Sequence, residues 1–477
     1  MLNRLTYGIT SQTLADARQR GRNGFLDAQL TDVDMALPVA IASQIERLEV
    51  AHVEPLQWLT SIRVERARIN ELPEGAEKVQ AHKALQEQGN KLADEAQSRE
   101  ILRAIYSRAQ LREQLVEFWL NHFNVFKNKA DVRWLVGDYA EHAIRPHVLG
   151  HFRELVLATL RHPAMLEYLD NAHNAAGHIN ENYARELMEL HTLGVNGGYT
   201  QQDVQNLARV LTGVGVYAGT EAPKLKAAWQ PLYRREGAFE FNPARHDFGA
   251  KTLLGKPVAG AGYAEVENAI ELLVRSDACA RFISRKLAVY FVADDPPAVL
   301  IERMAKTFHD TDGNIADVLR AMFSSHEFTA SLGQQFKDPL HYVVSALRLA
   351  YDARPISNTR PVVGWLNRLG EPLFGHQTPD GYALTEAGWA SSGQMSRRFE
   401  TARAIAAGNS GLFDVQTDGG VIAGGPVAGG FPQLASPWYF QVMQPVLSKA
   451  TLTALAQANS QQEWNTFLLA SPEFNYR

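Results

Sequence analysis

Six residues have side chains and spacings suited to acid–base chemistry: His122, Arg185, Glu186, Glu189, His246 and Asp247. Three of them lie in one stretch, Asn180 to Gly213, which reads NENYARELMELHTLGVNGGYTQQDVQNLARVLTG. In such a set a carboxylate or imidazole moves the proton, and a guanidinium orients a carboxylate or holds an anionic substrate group. Glu186 and His122 are the candidates for general acid or base, and Arg185 is the candidate anchor. Glu181, Arg185 and Glu189 are spaced by four, so the arginine can equally bridge both carboxylates on one helix face. His246 and Asp247 come with Lys251 in HDFGAK, a tight polar turn. Polar loops on helical scaffolds often carry function, although a structural Asp-Gly turn fits the same residues.

Histidines concentrate in the same region: His122, His142, His147, His151, His162, His173, His178 and His191 are eight of the fifteen. A helical metal site needs ligands three or four residues apart, as in HExxH or ExxH, and neither motif is present. His147 and His151 have the spacing, but Pro146 and Gly150 disturb any helix between them. Glu186 and His191 fall about 140° apart on an α-helix, which opposes joint ligation of one ion. A histidine-held metal therefore stays one reading among others, and the cofactor is unknown. The single Cys279 excludes an internal disulfide and any site built on several thiolates.

The elements that must position these residues are helical. Asn180 is a candidate N-cap for a helix running to about Leu193, with Gly194 as its left-handed stop. Thr200 and Asp203 form a capping box for a second helix that Gly213 ends, so the stretch reads as a helical hairpin. Upstream, Leu111, Leu115, Phe118 and His122 share one helix face, which points His122 inward. A core histidine satisfied by one hydrogen bond is the bland alternative to a catalytic one.

Around this centre, residues 1–110 read as a helical region, broken near Gly21, with a long charged arm whose alternating charges suit a solvated face. Residues 111–407 form a central helical domain. It is interrupted near 214–258 by Gly, Pro and aromatic residues that suit a small β-hairpin. Pro379-Asp380-Gly381 is a strong turn signal. The Gly-rich 408–436 segment reads as an insertion without a phosphate-loop frame, and 437–477 as a closing helical segment. The expected fold class is mainly α, a large multi-helical globular protein.

Lys+Arg 47 against Asp+Glu 52 gives a net charge of −5 with no basic run, which argues against nucleic acid. No window approaches ~18 uninterrupted apolar residues, so no membrane span is expected. The N-terminal MLNRLTYGIT lacks the apolar core of a signal peptide.

In FWLNHF, in NENYARELMELHTLGVNGGYTQQDV followed by ARVLTG, in HDFGAKTLLG, in RKLAVYFV, and in the layout LG..LF....PDGY......W.......R from Leu369 to Arg397, the chain resembles the bacterial family of domain of unknown function 1800. The resemblance implies a mostly helical, periplasmic or extracellular protein, since members commonly carry export signals. It also implies a secreted partner, because members are often encoded beside a second secreted family related to alkaline phosphatases. A signal peptide is not evident in this chain, so a cytoplasmic place stays open. The resemblance carries no established activity to any residue. The residues themselves support two function classes: a hydrolase-like enzyme with a polar His/Glu/Arg cleft, its small-molecule or polymer substrate unknown, or a non-catalytic binding or assembly protein whose polar motif is a buried network.

Overall fold

A computed structural model describes the chain except residues 32–35, 53, 220, 222, 353, 409–410, 418–419 and 423–430. Helix accounts for 63% of it and strand for 4%, which makes the protein mainly α. Apolar side chains from Leu5 to Phe474 merge into one core, because each amphipathic helix must bury its apolar stripe against another. The first long helix, Ser11–Thr31, kinks at Gly21 (φ 69°), where the sequence breaks its periodicity.

The charged arm is helical, as Pro55–Glu71 and Ala76–Tyr106, but it is only half an arm. The second helix is largely exposed up to Asn90, and from Leu92 onward it enters the core. Arg99 and Glu100, which charge alternation assigns to a solvated face, are buried at 2% and 7% exposure. They can be buried because they are paired. Arg145 donates from Nη1 to Glu113 (2.9 Å) and from Nη2 to Glu100, and Arg99 Nε lies 3.0 Å from Glu100. Arg103 holds Glu141 beside them. This network ties the Ala76–Tyr106 helix to the Gln110–His122 helix.

The expected hairpin is a slightly larger β unit. Phe239–Phe241 is the central strand, antiparallel to Val214–Val216 on one side and Arg234–Glu236 on the other. A second pair, Thr252–Leu253 with Lys256–Pro257, follows. Much of the Gly-rich segment lies outside the described residues. The closing helix Gln461–Leu469 packs on Ser392–Ala407. No described helix is long and apolar enough to cross a membrane.

Burial alone would push Glu100 up, but Arg145, Arg99 and Arg103 outweigh it and hold the carboxyl at about 2. Its folded pKa lies below its unfolded one, so its stabilisation is present above about pH 4.5 and fades as pH falls toward 2. Replacing the guanidinium strands two buried carboxylates. Arg145→Met is expected to cost about 3–5 kcal/mol in urea unfolding at pH 7, and the deficit should shrink as the pH is lowered toward 3 and Glu100 becomes neutral.

Candidate functional site

The Gln110–His122 helix organises the site through three side chains at its end. Asn121 donates to the Tyr382 carbonyl (3.0 Å) and accepts from the Tyr382 amide (2.6 Å). Asn124, just beyond the helix, donates to the carbonyls of His376 (3.1 Å) and Thr378 (2.8 Å). Two asparagines thus pin the backbone on either side of the Pro379-Asp380-Gly381 turn. Gly381 is needed at its place: φ is 74°, and a Cβ there would lie 2.2 Å from the Asn121 carbonyl oxygen.

His122 is 2% exposed and boxed by Trp119, Phe123 and Phe152. Its Nε2 lies 3.0 Å from the His191 carbonyl, which can only accept, so Nε2 carries the proton. Nδ1 is then a lone pair, and it accepts from the Lys286 ammonium at 3.0 Å. Burial, the lysine and His191 hold His122 neutral, its pKa well below the ordinary value. Lys286, on the helix Asp277–Phe291, is lowered to about 8 by burial, against an opposing pull from Asp380. His191 is fully buried, and neither of its ring nitrogens has a partner among the described residues. Burial and Lys286 lower its pKa to about 3.

Two carboxylates complete the group, and their environments differ. Glu186 is half-buried and pushed up by burial, by Glu189 and by Asp380. Asp380 is exposed and drawn down, because hydrogen bonds from Thr378 (2.5 Å) and His376 (3.2 Å) outweigh burial. Asp380 acts electrostatically on Glu186, Lys286 and Tyr168 alike. Buried imidazoles, a half-buried lysine and an exposed aspartate therefore form a gradient from core to solvent. Four separated segments supply it, around residues 122, 186–191, 286 and 376–382.

These four segments coincide with four of the motifs that carry the family resemblance. A model of "Protein of unknown function (DUF1800)" matches residues 1–476. The chain belongs to the DUF1800 family. Neither a curated protein nor a solved structure matches it.

In this DUF1800 chain the six sequence candidates separate. His122 and Glu186 belong to this group, His122 through its bond to Lys286 and Glu186 through the charge of Asp380. Arg185 bridges Glu181 (3.1 Å) and Glu189 (3.4 Å) and donates a third bond to the Gln201 side-chain oxygen (3.0 Å), a brace about one-third exposed rather than a buried network. His246 and Asp247 share no partner with His122 or Glu186. His246 donates from Nδ1 to the Thr212 carbonyl (2.8 Å), with Glu265 3.5 Å from Nε2. Asp247 pairs with Arg209 (2.8 Å) and accepts from the Gly249 amide (2.8 Å), the structural Asp-Gly turn. The capping box at Thr200 and Asp203 is present, as is the Gly194 stop (φ 81°).

The helix before that stop is not one α-helix. It is α over Asn182–Glu186 and then a π-turn over Leu187–Thr192, in which the Leu193 amide reaches back to the Met188 carbonyl (2.8 Å). Its N-cap is Glu181, not Asn180, and that side chain makes no cap bond; Asn180 instead accepts from the Asn182 amide (2.9 Å) just outside the helix. A π-turn inside an α-helix commonly marks a functional site. Among the described residues no group of three His, Cys, Asp or Glu could hold a metal, and His147 and His151 diverge, His151 bonding the Asp312 carbonyl.

Lys286 and Asp380 were legible only as a helix position and a turn, since no local pattern announces either as chemical. Their coupling has a direct consequence. Asp380→Asn removes the carboxylate that favours the ammonium, so the Lys286 pKa should fall below about 8, read from the pH dependence of 13C-methylated lysine signals. Gly381→Ala should displace the turn and produce the same fall.

Proposed function

We propose that the cleft is a hydrolase-like active site in which Glu186 is the proton donor, Asp380 the base and Lys286 the stabiliser of developing negative charge. The observation that carries this reading is the divergence of two interacting carboxyl groups. Environments that push such a pair apart assign the acid and the base. Glu186, raised by burial and by its acidic neighbours, is the better proton donor of the two. Asp380, held ionised by Thr378 and His376, takes one from water. The Lys286 ammonium, partly stripped of solvent, meets developing charge where water screens it least. His122 is a positioning residue here, because both ring nitrogens are committed. Arg185 holds Glu189 rather than substrate.

The test is a panel of chromogenic glycosides and phosphate esters with the full chain. Any hydrolysis found should drop about 100-fold in Glu186→Gln and in Asp380→Asn. It should persist in Asp310→Asn, at an exposed ion pair elsewhere on the surface. The rate should decline on the alkaline side as Lys286 loses its proton near 8. Rates unchanged in Glu186→Gln would sink the assignment. A second reading, a binding protein acting with a secreted partner, draws on the partly exposed brace of Arg185, Glu181, Glu189 and Gln201. It requires that Arg185→Ala abolish complex formation while the unmodified chain hydrolyses nothing.

A further inference from the structure

The histidine concentration noted in the sequence has a second outcome, remote in its contacts from the cleft above. A cavity of about 450 Å³ is lined by His142, His147, His162 and Asp138, with Arg161 and an apolar wall that includes Leu56 and Phe239. Asp138 sits between two imidazoles, His162 Nε2 at 2.8 Å and His142 Nδ1 at 2.6 Å. Hydrogen-bond logic settles each proton. His162 Nδ1 accepts from the Ala164 amide (3.1 Å), capping the next helix, so its Nε2 is the donor to Asp138. Asp138, held low against burial by both rings, is a carboxylate that only accepts, so His142 donates to it from Nδ1.

Nε2 of His142 therefore projects an uncommitted lone pair whenever the ring is neutral, and no described residue bonds it. The ring is well exposed, at 69%. This is the arrangement by which an aspartate orients an imidazole as a general base. His142 also lies on a second π-turn, Tyr139–Ile144, in a fold whose other π-turn bears His191. Arg161 donates from Nε to Tyr263 (2.7 Å) and from one Nη to Glu267 (3.4 Å), which steadies the guanidinium beside the cavity.

We propose that the Asp138–His142 pair is a general-base site for hydrolysis of carboxylic esters with a short apolar acyl chain. Water attacks the ester carbonyl and gives one proton to His142 Nε2, forming a tetrahedral anion that Arg161 stabilises. Collapse breaks the carbon–oxygen bond to the alcohol, and the departing alkoxide takes the proton back from Nε2, leaving a carboxylic acid and an alcohol. Among the described residues no serine or cysteine lines the cavity, so water is taken as the attacking group. The groups around the ring set its pH range. Asp138 and Glu141 favour the imidazolium and Arg99 opposes it, and the cavity adds Glu54, His147, Arg161 and Glu236. The balance lies with Asp138, so the base should become available above the usual imidazole value of about 6.5.

The experiment measures initial rates on p-nitrophenyl butyrate from pH 6 to 9 with the full chain. His142→Gln should lower kcat/KM about 100-fold with the melting temperature unchanged, since the ring is exposed. His309→Gln should have no effect; it tests adventitious catalysis, because His309 forms a similar exposed pair with Asp277 (3.0 Å) outside this cavity. Asp310→Asn, at the exposed ion pair with Lys306, should also have no effect. The wild-type rate should rise through a single inflection above pH 6.5, and Asp138→Asn should move that inflection down. A rate unchanged by His142→Gln, or lost equally in His309→Gln, overturns the proposal.

Discussion

The site depends first on a buried charge. Glu113 lies on the same helix as Asn121 and His122, and its carboxylate can enter the core only because Arg145 reaches it. Arg145 also holds Glu100, so one guanidinium joins the helix that ends at His122 to the long helix before it. An ion pair of this kind gains little over a well-packed apolar contact, but breaking it is costly, and that asymmetry fixes geometry. Asn121, His122 and Asn124 inherit their positions from it. Two of them hold a turn more than 250 residues away in sequence.

Desolvation then does different things to acids and bases in the same neighbourhood. It lowers Lys286 to about 8 and His191 to about 3, and on the helix itself it joins Asp338 and Glu100 in raising Glu117 to about 8. Hydrogen bonds from Thr378 and His376 keep Asp380 ionised at the rim. The result is that Lys286 and Glu117 titrate near neutrality while His191 stays uncharged and Asp380 ionised, whereas the fully satisfied partners Arg209 with Asp247 and Lys251 with Glu265 form a structural cluster. Each π-turn carries an imidazole: His142, bonded to Asp138, and His191, whose backbone carbonyl accepts from His122. The wider backbone turn is a deformation that a plain helix would not adopt without local reason.

Much of this was readable from residue order. The inward aim of His122, the Gly194 stop, the Thr200–Asp203 box, the bridging of Glu181 and Glu189 by Arg185 and the turn at Pro379-Asp380-Gly381 follow from periodicity, capping and dihedral preference. Those interactions span about four residues, within reach of a local pattern. The same local rules erred for Arg99 and Glu100, because charge alternation describes a helix surface without saying what will cover it. They also read residues 187–192 as ordinary α-helix, since nothing in ELMELHT distinguishes the wider turn.

What the tertiary structure alone decided is which polar residues meet. His122 finds Lys286 at a separation of 164 residues, and His246, grouped with it by residue type, finds Thr212 and Glu265 instead. Hydrogen bonds and charge effects act over a few ångströms, and pairing at that range is set by how the helices pack. The sequence by itself determined the mainly helical class, many of the helix ends and the family; packing determined the grouping of His122, Lys286, Glu186 and Asp380, and the separate cavity of Asp138 and His142.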